Sequence, residues 1–478
     1  MVNKFPENFI FGTATSSFQI EMGSSAASRS TRSDWYQWVH NQDIISNHLV
    51  SGDLPENGDD FWDTYEADFE RAKELGTTAI RMSLDWARLF PDDTSSVNSI
   101  VKKTDKGDVL DSYLDEKTYC AMNKLADQDA VIGYSKILES ARSAGLKIFL
   151  TMYHWPLPLW IHNPLECHKN IQTSNEKGWV DTRTVEEFGK YSDFVIKTYS
   201  SYIYAWQTIN EPESVSLGGY LLGNVYGFPP GISDLQLAFK VQRNLAFAHS
   251  VAYHNVKRLY DIPTGIGVSI PYIDPVNEES VNIASYMAYL YNEWYLNAAL
   301  KGSFDNDLDM TIDENIPSMG GTDYLGIDYY QRMRVKYDKN STFAGLLNVS
   351  IEPCSECSDF GWDIYPPGIR KVIKRSYMKY NKPIYILENG IADASDLKRP
   401  NFIRNHLIEV SRSITEDKIP VLGYFHWSLM DNYEWSNGFS KRFGLYEVNY
   451  STGKRIKRKS AEVYSRICKT GKIENENI

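Results

Sequence analysis

Eight short runs rich in β-branched and aromatic residues punctuate the chain, and most of them are separated by long segments of helical periodicity. They fall at residues 9–19, 79–86, 147–154, 205–210, 264–270, 324–330, 384–388 and 421–427. Apolar runs of this kind belong to parallel strands covered on both faces, and alternation with helices supplies the covering layer. The number eight favours closure into an α/β fold of the (β/α)8 TIM-barrel type. The rival is an open doubly wound sheet, which needs a glycine-rich phosphate loop after an early strand. The nearest approach, Gly265-Ile-Gly267, lacks the third glycine. Helical segments at 67–75 and 136–144 stop at Gly76 and Gly145, as helices commonly do. Segment 186–202 sets Phe188, Tyr191, Phe194 and Val195, with Ile203 just beyond, on one apolar stripe. No Gly/Ser linker or low-complexity tract divides the 478 residues. The reading is one barrel domain over 1–478, with polar stretches 92–129 and 336–358 as long βα insertions and 470–478 as a frayed tail.

Charge and cysteine usage narrow the function. Against 62 Asp and Glu stand 50 Lys and Arg, a net charge of −12, which argues against a nucleic-acid partner. No window reaches the ~18–20 apolar residues of a membrane span. The N-terminal Phe9-Ile10-Phe11 is too short for a signal-peptide core, so a cytoplasmic location is expected. Five cysteines make an odd count. Cys354 and Cys357 have C-x-x-C spacing but no second pair to complete a zinc site, and unpaired loop thiols are the expectation. His249 and His254 are five apart, the wrong step for one helical face, and no H-E-x-x-H occurs. No metal or cofactor is expected. Sequons at Asn340, Asn348 and Asn449 carry no weight without secretion.

Polar and aromatic residues gather at the C-terminal ends of the runs: Gln19, Arg81, His154 with Trp155, Asn210 with Glu211, Tyr330, Glu388, and His426 with Trp427. A barrel converges these ends on the face where its active sites are built. Taken singly, a strand-end Glu is ordinarily a salt-bridge residue; the coincidence across seven runs points to a site. Aromatic residues make up 13% of the chain, with 12 Trp and 32 Tyr. Rings beside hydrogen-bonding groups suit sugars, although a large aromatic core explains the same composition. Glu211 in Thr208-Ile-Asn-Glu-Pro212 and Glu388 in Ile386-Leu-Glu-Asn-Gly390 lie 177 residues apart. Across a barrel mouth such a pair can cleave an acetal, one acid protonating the leaving oxygen while the other carboxylate attacks or activates water. Periodicity does not say which Glu is the acid.

These motifs resemble family 1 glycoside hydrolases over nearly the whole chain. The similarity runs through F-G-T-A-T-S-S-F-Q-I-E at 11–21, R-M-S-L-D-W-A-R at 81–88, Y-H-W-P-L-P-L-W at 153–160, T-I-N-E-P at 208–212, L-E-N-G at 387–390 and Y-F-H-W-S-L-M-D-N-Y-E-W at 424–435. G-F-P-P-G at 227–231 and D-F-G-W at 359–362 are similar to the archaeal β-glycosidases within that family. The resemblance implies that Glu211 is the acid/base and Glu388 the nucleophile of a retaining exo-β-glycosidase. It puts Arg81 and Tyr330 against the nucleophile. Sugar contacts fall on Gln19, His154, Asn210, Trp427 and Glu434 with Trp435 beside them, and leaving-group platforms on Trp155 and Trp362. It also implies β-linked glycosides or oligosaccharides as substrates, with broad action on galactosides, glucosides and fucosides, no cofactor, and a homotetramer. Two positions depart from the pattern: Asp328 stands where the family has Asn, and Leu387 where it commonly has Thr. Asp328 is therefore a candidate for tuning the pH profile. Two alternatives share the scaffold. A 6-phospho-β-glycosidase is disfavoured by Glu434 and Phe443, where such enzymes carry Ser and Tyr, although Lys441 is available. A non-catalytic sugar-binding barrel is disfavoured by both glutamates.

Overall fold

The computed structural model describes residues 3–341, 343 and 347–473. Its centre is a closed parallel barrel of eight strands: β1 (Ile10–Ala14), β2 (Ala79–Ser83), β3 (Lys147–Tyr153), β4 (Ala205–Asn210), β5 (Thr264–Ser269), β6 (Tyr324–Asp328), β7 (Ile384–Asn389) and β8 (Val421–Trp427). They pair in chain order, and β8 closes on β1. Each strand leads to an outer helix: α1 (Phe61–Glu74), α2 (Gln128–Ser143), α3 (Arg183–Tyr199), α4 (Leu235–Leu259), α5 (Trp294–Lys301), α6 (Pro366–Tyr380), α7 (Arg399–Thr415) and α8 (Lys459–Thr470). All eight expected strands are barrel strands, so the (β/α)8 reading holds.

Packing explains why the strands read as apolar runs. Inward residues fill the barrel while outward ones meet the helices, so β1, β2, β4, β6 and β7 are buried at every position. Phe149 is the hub of the interior, with ring centroids 4.7 Å from Phe425 and 5.1 Å from Tyr385. Glycine on a neighbouring strand makes room: a Cβ at Gly12 would stand 2.4 Å from the Phe425 ring. Leu387 belongs to the same buried cluster and packs over Gly326. The hydroxyl it replaces would have had to find a partner in this apolar layer. On α3, Phe188, Tyr191, Phe194 and Val195 form the expected buried stripe. The helix ends at Tyr199, so Ile203 lies in the approach to β4. Asp127 and Asp234 cap α2 and α4, accepting from Ala130 N at 3.0 Å and Leu237 N at 3.0 Å.

Several boundaries are corrected. The first run is too long, because the chain leaves the sheet after Thr15 and Gln19 sits on a helical turn, Ser17–Ile20. The second run ends at Ser83, and Trp86–Leu89 form a turn capped by Asp85. The frayed tail is also corrected. Lys472–Ile473 pair antiparallel with Asn3–Lys4 and Ile473 is buried, so backbone bonds and apolar contact both hold this segment. Residues 474–478 lie outside the described residues. Cys354 and Cys357 are not free thiols. The turn between them brings their Cα atoms to 5.5 Å and they form a disulfide, leaving Cys120, Cys167 and Cys468 unpaired.

The stretch 92–129 holds an antiparallel hairpin, Ile100–Lys103 with Val109–Tyr113, and the helix Glu116–Leu125. Between β6 and α6, Arg332–Tyr337 pairs with Val349–Ile351 and with Tyr272–Pro275. Among the described residues, no helix is long and apolar enough to cross a membrane.

Candidate active site

Both motif glutamates stand where a strand breaks register. On β4 the pairing with β5 slips between Gln207 and Asn210, and on β7 the pairing with β8 slips between Ile386 and Asn389. Such bulges turn the following side chain towards a barrel mouth. Glu211 comes next on β4, with φ 41° and ψ 62°, at the start of the short helix Pro212–Ser216. Its N–H donates to Gly267 O at 2.9 Å, and Ser214 Oγ donates to its Oε2 at 2.8 Å. A left-handed non-glycine residue costs about 1–3 kcal/mol and persists only where its surroundings fix it.

Glu388 faces Glu211 across the barrel. Arg81 Nη1 donates to its Oε1, and Tyr330 OH donates to its Oε2 at 2.5 Å. One carboxylate oxygen each from Glu211, Glu388 and Asp328 lie within 4.8 Å of one another. Burial, followed by the charge of Glu388, pushes the Glu211 carboxyl up to about 8. Glu211 therefore holds its proton at neutral pH, which equips it to donate.

Arg81 organises the inner wall. Its Nε donates to Gln207 Oε1 at 2.7 Å and its Nη2 to Asn210 Oδ1 at 2.5 Å. Because Asn210 accepts with its oxygen, its Nδ2 faces His154 Nε2 at 3.1 Å, so that ring nitrogen must accept. Burial, reinforced by Arg81, holds His154 well below the usual imidazole range. The neutral ring then carries its hydrogen on Nδ1, which has no partner among the described residues, and His154 lines the cavity. A substrate hydroxyl can take that donor.

The cavity, of about 180 Å³, is lined at its inner end by Gln19, His154, Asn210, Trp427, Glu434 and Trp435. Gln19 Nε2 donates to Asn432 Oδ1 at 3.1 Å, Tyr433 O at 3.0 Å and Glu434 Oε2 at 3.3 Å. Burial, followed by the charge of Glu388, pushes Glu434 up to about 8. The His154 ring lies nearly parallel to Trp427 and Trp435, at 19° and 14°, with centroids 6.4 Å and 6.0 Å away. The rest of the lining is rich in aromatics: Trp362 lies flat on Phe360 at 4.1 Å, and Phe228 and Tyr226 line the same cavity. Trp155 also lines the cavity but is tied inward, its Nε1 donating to Asn210 O at 3.2 Å and its ring 4.3 Å from Trp435.

The residues predicted for catalysis and sugar contact gather at this mouth, whereas His426 turns away from it and packs 5.5 Å from Tyr464 on α8. Arg81 and Asp328 are buried beneath the cavity rather than lining it. Lys441 Nζ donates to Asp359 O at 2.7 Å. Sequence reasoning missed Gln207, Ser214, Phe228, Phe360 and Tyr226. A polar Gln inside an apolar strand was a visible signal for Gln207, and a Ser three residues after a helix-starting Glu was one for Ser214. Phe228 and Phe360 stand inside the G-F-P-P-G and D-F-G-W motifs, a signal of family likeness only, and nothing local marks Tyr226.

A closed parallel barrel carrying two facing glutamates and a sugar-sized cavity at its C-terminal mouth defines a glycoside hydrolase. The sequence profile of glycosyl hydrolase family 1 matches residues 1–101 and 123–473, and the chain belongs to that family. It is 34% identical to a β-galactosidase of Saccharolobus solfataricus over 99% of this chain and 96% of that one. The β-glycosidase of the hyperthermophile Thermosphaera aggregans superposes with a TM-score of 0.92 at 32% identity, over 99% and 98% of the two chains. A β-glucosidase mutant derived from a hyperthermophilic tetrameric structure superposes with a TM-score of 0.89 at 36% identity, over 99% and 97%.

Proposed function

We propose that the protein is a retaining exo-β-glycosidase in which Glu211 is the acid/base and Glu388 the nucleophile. The carrying observation is the approach of the Glu211 and Glu388 oxygens to within 4.8 Å. Retaining pairs stand about 5–5.5 Å apart, whereas inverting pairs leave about 6.5–9.5 Å for a water. Glu388 attacks the anomeric carbon as the glycosidic bond breaks, and Glu211 gives its proton to the departing oxygen. The glycosyl-enzyme ester is then cleaved by a water whose proton returns to Glu211, freeing the sugar with its original configuration. Arg81 and Tyr330 hold Glu388 in line through bonds to its two oxygens. The closed inner end suits one terminal sugar, and the aromatic remainder of the lining suits the leaving group.

Terminal β-galactosides, β-glucosides and β-fucosides are the proposed substrates. Glu434 lines the cavity beside Gln19, and as a protonated carboxyl it offers both a donor and an acceptor, which serve either orientation of the hydroxyl distinguishing glucose from galactose. A kcat/KM ratio between the two glycosides above a hundredfold, about 2.7 kcal/mol, contradicts this breadth. A homotetramer is proposed with it, and light scattering should give four times the 54.8 kDa chain mass.

The mechanism is tested by NMR of the first-formed anomer and by two variants. Retention is expected, and first formation of the inverted sugar overturns the reading. Glu388→Gly should lose turnover and recover it with azide. Glu211→Ala should suffer most on poor leaving groups, and interchanged behaviour reverses the two roles.

A further inference from the structure

Asp328 ends β6, flanked by Ser269 on β5 and Glu388 on β7. It is fully buried, and among the described residues no donor reaches either of its oxygens. One of those oxygens lies within 4.8 Å of both Glu211 and Glu388. The charged and titratable groups around it are Glu388 from β7, Arg81 from β2, Glu211 and Glu213 beyond β4, Tyr324 at the start of its own strand and Tyr330 just past it. Arg81, the one cation of this set, is already engaged by Glu388, Gln207 and Asn210.

A carboxylate needs donors, and one buried without any loses its hydration with nothing in return. A carboxylic acid carries its own O–H and needs only an acceptor. One carboxyl oxygen each of Glu211 and Glu388 lies within 4.8 Å and can accept. We propose that Asp328 works as a neutral carboxylic acid, a positioning residue that donates its proton in a hydrogen bond to the catalytic carboxyl pair from beneath the cavity floor. Burial and the charge of Glu388 both raise its carboxyl well above the ordinary range, against the pull of Arg81. The alternative is an ionised Asp328 serving as a second counter-ion to Arg81.

The inference rests on the glycosidase reading, and its test separates the two. In the wild-type enzyme labelled with [γ-13C]aspartate, a carboxyl should remain protonated at pH 7. It should vanish in Asp328→Asn and respond when a 2-fluoro glycoside esterifies Glu388. Asp59, the other Asp described with neither oxygen partnered, should not respond. An ionised Asp328 in that spectrum overturns the proposal whatever the variants do.

In kinetics, Asp328→Asn keeps a donor and should stay within about threefold of wild type, with its alkaline limb at the same or a higher pH. Asp328→Ala removes the donor and should lose at least tenfold in kcat with KM within about twofold. An alkaline limb displaced to lower pH in Asp328→Asn refutes the neutral acid, because only loss of a real negative charge would ease ionisation of Glu211. Alanine as active as asparagine refutes it as well. If the wild-type enzyme hydrolyses no β-glycoside, the functional reading fails while the spectrum still reports on Asp328.

Discussion

Replacing Glu388 by Gln removes a charge and almost nothing else, which makes it the sharpest probe of how Glu211 keeps its proton. The two carboxyl oxygens lie within 4.8 Å. At an effective dielectric constant of about 20, unit charges at that distance repel by about 3.5 kcal/mol, or about 2.5 pH units. Burial ranks ahead of Glu388 among the causes that raise Glu211 to about 8, so part of the rise survives the substitution. Arg81, freed from Glu388, pulls in the same downward direction. The Glu211 carboxyl should therefore fall from about 8 to about 5.5–6.5 in Glu388→Gln. The assay is 13C NMR of [δ-13C]glutamate-labelled protein, with Glu211 assigned from its Gln variant. Asp328→Asn in both backgrounds leaves that neighbouring acid unable to titrate. A midpoint that stays within half a pH unit of the parent would show that burial alone holds the proton. The proposed mechanism would then lose its switch, because esterifying Glu388 removes the same charge and is what turns Glu211 from acid to base between the two steps.

Three other outcomes are expected. Thiol titration of the oxidised, denatured chain should give three groups per chain and five after reduction. Reduction should also raise KM for aryl glycosides with kcat nearly unchanged, because the turn closed by Cys354 and Cys357 leads directly into Phe360 and Trp362; equal KM in both forms detaches the disulfide from the site. Phe149→Ala should cost about 3–5 kcal/mol in denaturant unfolding, since its ring is the hub of the barrel interior; a loss below about 1 kcal/mol would mean that the neighbours collapse into the gap. His162 bonds Asp34 at 2.7 Å, and although burial opposes its charge, that partner raises the ring to about 9. Because the folded value lies above the unfolded 6.5, its stabilisation is complete below pH 6.5 and is lost as pH rises through 9, by at most about 3.4 kcal/mol. His162→Gln should flatten that window in unfolding midpoints compared at pH 6 and pH 9.5.

The eight strands, the helix stops at Gly76 and Gly145, and the two glutamates were legible in the chain itself. Each is encoded locally: a strand buried on both faces must be apolar throughout, and a helix ending in a left-handed turn favours glycine. Where a strand stops was less legible, because Gln19 and Trp86 leave the sheet for reasons set by neighbouring strands and caps. The pairing of Cys354 with Cys357 was misread although the residues are adjacent, since spacing does not reveal whether a turn brings their Cα atoms within bridging distance. Tertiary structure alone decided the relay from Arg81 through Asn210 to His154, whose members come from β2, β4 and the end of β3. It alone left Asp328 without a donor among the described residues and stacked Trp362 on Phe360 in the cavity that Phe228 also lines. A hydrogen bond between residues 129 or 307 positions apart, as Arg81 makes to Asn210 and Glu388, depends on the curvature and register of the whole barrel. No stretch of sequence carries that information, because every strand contributes to it.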